Sequence, residues 1–167
     1  MPTADDVRGP RRDASEPSVS VPSAHEAIRN LLGTYCELMD AGDFAGLAGL
    51  FAGGRLADEH GNVFASDPAA IEQMWVAQTL VYDGSPRTRH ITANPIIEVD
   101  EAAGTASCRS TYVVFQGTDA LPLQPIVSGR YADTFRRHAD GSWHWAERRY
   151  AVDHIGDVSH HLRPGML

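Results

Sequence analysis

No apolar run in the chain approaches the length of a membrane span, and the N-terminus lacks the continuous apolar stretch of a secretory signal; a cytoplasmic protein without a membrane partner is expected. Cysteine is scarce. Cys36 and Cys108 stand in a helical and a strand pattern, share no CxxC or paired spacing, and read as buried reduced thiols. A basic surface is missing as well: 14 Lys+Arg face 22 Asp+Glu, the formal net charge is -8, and the arginines are scattered. Nucleic acid is therefore excluded as an expected partner. GxGxxG, P-loop and GxSxG motifs are all absent, which removes support for nucleotide and covalent chemistry. The histidines His138, His144, His160 and His161 show no HExxH or other ligand spacing, so neither a metal nor a cofactor is expected.

What remains is the composition of one soluble domain: 167 residues, 43% apolar and 22% charged. Residues 1–22 are rich in Pro, Ser, Asp and Arg and bury too little surface to offset chain entropy, so a disordered tail is expected there. Ser23 and Glu26 form a capping-box signature, followed by Ile28, Leu31, Leu32, Tyr35, Leu38 and Met39 at helical spacing up to Ala41-Gly42. Asp43 caps a shorter helix that Gly53-Gly54 stops. Residues 55–65 read as a short hairpin, and Asp67-Pro68 opens a third helix that continues to Val81. The periodicity then becomes alternating, predicting strands over 87–99, 105–117, 124–137 and 143–154. Residues 23–157 thus read as an α+β domain: three N-terminal helices closing a curved antiparallel sheet around a cone-shaped pocket, with 158–167 as a C-terminal tail.

Candidate chemistry concentrates on Asp40, where the first helix ends, and His90 in RTRH, where the first long strand begins. A carboxylate held against one imidazole nitrogen fixes the tautomer and makes the other a better general base. Glu37 lies three residues before Asp40 and can share its helix face. Tyr35, Tyr112 and Tyr131 offer phenol donors, Trp75 a packing or substrate-binding surface, and Asp133 with Arg148 either a catalytic set or a buried ion pair.

The segments AIRNLLGTYCELMDAGDFAGLAGLF, RTRHITANPIIEVD and VSGRYADTFRRHADGSWHWAERRYAVD, in this order, resemble the SnoaL-like branch of the nuclear-transport-factor-2-like superfamily. The resemblance implies that fold. Among its members, scytalone dehydratase and a dehydrochlorinase match best, their helix-ending carboxylate falling on Asp40, their base histidine on His90 and the dehydrochlorinase arginine on Arg148. Asp133 falls on a strand that meets substrate in scytalone dehydratase. Met39 replaces a substrate-binding tyrosine of that enzyme, its second pocket histidine has no counterpart, and Tyr35 stands where the dehydrochlorinase has a lysine. The expected activity is a cofactor-independent lyase or isomerase acting on a small cyclic or polyketide-like molecule. In it His90 takes a proton, and Arg148 or a tyrosine steadies the negative charge. The alternatives are a non-catalytic partner resembling the small subunit of an aromatic-ring-hydroxylating oxygenase, or a small-molecule-binding protein without turnover. Helices cover one sheet face only, so Val113, Phe115 and Val127 raise the further expectation of a homodimer.

Overall fold

A computed structural model describes residues 21–166, so the tail expected over 1–22 lies outside the described residues apart from Val21 and Pro22. Helix α1 (Ala24–Ala41) starts in a complete capping box: the Ser23 hydroxyl accepts from the Glu26 amide, and the Glu26 carboxylate accepts from the Ser23 amide at 2.8 Å. It ends at Gly42, whose φ of 74° and 2.9 Å approach of a notional Cβ to the Gly84 carbonyl oxygen both require glycine. Ile28, Leu32, Tyr35 and Met39 bury one face, and Asp40 is buried beside them. Helix α2 (Phe44–Gly49) is capped by Asp43. Helix α3 (Pro68–Gln78) is capped by Asp67 and stops three residues short of the expected Val81, because Thr79 turns extended and bridges to Leu162.

Strands β1 (Arg55–Asp58), β2 (Val63–Ala65), β3 (Thr88–Asp100), β4 (Thr105–Gln116), β5 (Gln124–Arg137) and β6 (Trp143–Ile155) form one sheet in the order β2-β1-β6-β5-β4-β3. The four long strands are antiparallel. However, β1 runs parallel to β6, pairing Leu56 with Arg148, so the sheet is mixed rather than wholly antiparallel. Gly54 permits that pairing: a side chain there would collide with the Trp145 carbonyl. Register shifts bend the sheet, one between Ala93 and Ile96 where Asn94 takes a φ of 53°, another at Ser128/Gly129. Pro95 is tolerated because β3 is an edge strand and the bulge needs no ladder donor there.

Two apolar clusters hold the layers together. One joins Ile28, Leu32, Tyr35 and Met39 of α1 to Phe51, Phe135 and Trp145; the other gathers Tyr112, Val114, Leu121, Ile126, Tyr131 and Val158. The last residues are part of this packing. Val158 and His161 are buried, the Leu80 amide donates to the His161 carbonyl at 2.8 Å, and the Tyr82 hydroxyl donates to the His160 carbonyl at 2.9 Å. No helix among the described residues is long and apolar enough to cross a membrane.

Candidate active site

The end of α1 and the start of β3 bring Asp40 and His90 together across fifty residues of sequence. His90 Nδ1 lies 2.7 Å from Asp40 Oδ1, and the two side chains are only 7% and 6% exposed. The same carboxylate accepts from the Thr88 hydroxyl at 2.9 Å and from the His90 backbone amide at 3.1 Å, so it is gripped from three directions. Burial alone would raise the Asp40 carboxyl. Hydrogen bonding and charge at His90, with help from Thr88, outweigh that and hold it below the ordinary carboxylate range. An ionised Asp40 makes Nδ1 the donor, which leaves Nε2 of a neutral His90 with its lone pair free to accept a proton.

Arg148 occupies a different setting. Its side chain is wholly buried, donating from Nε and Nη2 to the two oxygens of Asp133 at 2.8 Å each. The guanidinium lies over the rings of Tyr35 and Tyr131, at 4.2 and 4.0 Å from their centroids. Of the two readings open for Asp133 and Arg148, the structure shows the buried ion pair, and no hydrogen bond joins it to His90 or Asp40. Around it, Tyr112 stacks on Tyr131 at 4.3 Å and the Tyr35 and Tyr150 hydroxyls meet at 3.3 Å. Burial pushes the Tyr35, Tyr131 and Tyr150 phenols up and carries Tyr112 up to about 12, so all four stay protonated donors.

Glu37 corrects one expectation: it is exposed on α1 and makes no hydrogen bond to Asp40, whose buried carboxylate turns instead to Thr88 and His90 of β3. Trp75 is half-buried and packs against the first cluster as an anchor. Sequence reading singled out none of Thr88, Tyr150 and Gln116, although Thr88 lies inside RTRH and Tyr150 inside the last matching segment. One cleft of about 960 Å³ is lined by Arg55, Glu98, Ser107, Thr134 and Glu147, and a smaller one of about 520 Å³ by Asn94, Ile96, Arg109 and Arg130. Both lie on the helix-free sheet face, outside the space between helices and sheet where the pocket is expected. That interior instead holds the dyad, the tyrosines and the Arg148–Asp133 pair. Glu147 in the larger cleft is already paired with Arg55 and Arg149, whereas the dyad keeps a reactive nitrogen, so the dyad marks the candidate site.

Comparison with known proteins agrees with this architecture. No curated protein sequence matches the chain. Among solved structures, a variant of Rv3472, a protein of unknown function from Mycobacterium tuberculosis, is 29% identical over 77% of this chain and 71% of that one, with a TM-score of 0.61. A scytalone dehydratase candidate from Novosphingobium aromaticivorans is 20% identical, covers 80% and 86%, and has a TM-score of 0.60. The β subunit of a candidate aromatic-ring-hydroxylating dioxygenase from the same organism is 18% identical, covers 80% and 91%, and has a TM-score of 0.61. The latter two share the fold. Residues 22–149 match the SnoaL-like domain, and the chain belongs to that family.

Proposed function

We propose that the protein is a cofactor-independent lyase or isomerase, dehydratase- or cyclase-like, acting in the cytoplasm on a small cyclic or polyketide-like molecule. His90 removes a proton next to a carbonyl or leaving group, and Asp40 holds its ring and stabilises the imidazolium that forms. The observation that carries this reading is the 2.7 Å contact between His90 Nδ1 and a buried carboxylate, which orients Nε2 as the base. Water exclusion around so poorly exposed a pair strengthens its electrostatics. The sequence contains no lysine, so no lysine side chain offers an imine route to the same chemistry.

The test is exchange of the activated α-hydrogens of β-tetralone, a rigid cyclic ketone, in heavy water. Protein-dependent deuterium incorporation above the buffer rate supports the base assignment, and folded protein that adds nothing to that rate overturns it. A second reading, a partner subunit without turnover, draws on the half-exposed Ile91 and Ile96 of the helix-free face and on the shared fold with the dioxygenase β subunit. It predicts no exchange.

A further inference from the structure

Arg148 gives Nε and Nη2 to Asp133, and its buried Nη1 has no partner among the described residues but no hydrogen bond ties it to the dyad, so the charge that develops when His90 takes a proton calls for a donor beside His90. The C-terminal segment supplies one. His161 is a buried residue, 7% exposed, and its Nδ1 has no hydrogen-bond partner among the described residues. The segment is tied down by three residues, two from the connection between α3 and β3 and one from β4: Leu80 donates to the His161 carbonyl, Tyr82 to the His160 carbonyl, and Gln116 Nε2 to the same His160 carbonyl at 2.7 Å. Gln116 stands directly opposite Thr88 in the sheet, and Thr88 donates to Asp40. The backbone next to His161 is thus tied through Gln116, and through its sheet pairing with Thr88, to the strand that carries the dyad. Two more buried polar atoms in the segments joined there, Gln116 Oε1 and Thr79 Oγ1, also lack partners. Buried polar atoms are nearly always satisfied, and three orphans from three elements at one end of the domain are what a polar ligand group would satisfy.

We infer that His161 is a second catalytic residue of the His90–Asp40 site, a neutral imidazole whose N–H donates to the oxygen of a carbonyl substrate. This rests on the function proposed above. As His90 Nε2 takes the proton, the C–H electron pair becomes the enolate double bond and the negative charge settles on the carbonyl oxygen, where it accepts from His161. The proton on His90 then returns to the same carbon or to another, so no co-reactant is consumed. A neutral histidine suits this role, because it stabilises the oxyanion without protonating it. Desolvation, then the nearby charge of His90, lower His161 to about 4, which keeps it uncharged at neutral pH. The titratable and charged groups around the site are Asp40 on α1, Arg89 and His90 on β3, with Arg89 Nη1 3.6 Å from Asp40 Oδ2, and Tyr82 between α3 and β3.

The exchange assay separates the outcomes. His161→Gln and His161→Asn should slow β-tetralone exchange about a hundred- to a thousand-fold, mostly in kcat, with melting temperatures near wild type. Wild-type exchange with unimpaired His161 variants overturns the second role and leaves the base assignment standing; absence of wild-type exchange overturns both. If neither variant folds, histidine-labelled NMR of the full chain decides. In wild-type protein the His161 ring stays neutral as exposed histidines protonate, and in His90→Gln it titrates at higher pH. A His161 titration untouched by His90→Gln contradicts the inference.

Discussion

Asp40 is a buried carboxylate that the fold keeps ionised. Its folded pKa lies below its unfolded value of about 4, so it contributes stability above that value and loses it as pH falls through the folded one. Wild-type protein should therefore lose melting temperature more steeply below about pH 5 than Asp40→Asn does, even though the variant starts lower at neutral pH. Thermal melts from neutral to acid pH check this, and parallel curves would contradict it. The Arg148–Asp133 pair behaves differently, being an ion pair buried in the core. Removing one partner strands the other charge in the core, so Asp133→Ala should cost about 3–5 kcal/mol in urea unfolding, and adding Arg148→Met should recover much of it. An Asp133→Ala loss within about 1 kcal/mol of zero would show that the guanidinium is satisfied some other way. His90 and Asp40 were legible as residues because a polar pair stands out at a helix end and a strand start. His161 was not, since nothing local distinguishes a buried histidine near a chain end from an exposed one.

At the scale of elements, local chemistry was enough for most boundaries. The Ser23–Glu26 capping box, Asp43, and Asp67-Pro68 begin the three helices where expected, and period-two alternation places the four long strands to within a residue or so. Nonlocal pairing was not readable. The parallel union of β1 with β6 depends on Gly54 letting one backbone approach another 91 residues away, and no periodicity reports such an encounter. Gly129 plays a similar part in the bulge of β5. A Cβ there would overlap the Ala151 carbonyl and come within 2.8 Å of the Tyr112 ring, which itself stacks on Tyr131. Gly129→Ala should thus destabilise the fold by about 1–3 kcal/mol and disturb the tyrosine cluster. Chemical unfolding with near-ultraviolet circular dichroism would show both effects; a variant matching wild type in stability and spectrum would mean that the bulge relaxes freely.

At the scale of the molecule, the described helices cover one sheet face and leave the other without a described helix. Ile91 and Ile96 on the uncovered face are 50% and 54% exposed, with Val113 opposite Ile91 and Phe115 beside them, while Val127 packs against the second cluster. We propose that this face pairs two copies. Light scattering at micromolar concentration should then report twice 18.1 kDa, and the monomer mass would contradict it. Dimer or not, the central claim is that a buried carboxylate turns His90 into a base. The most direct measurement is β-tetralone deuterium exchange by wild type and His90→Ala at matched folded fraction, set beside their melting temperatures. The account predicts a loss of about a hundred- to ten-thousand-fold in exchange with little change in melting. Undiminished exchange in a folded His90→Ala would contradict it.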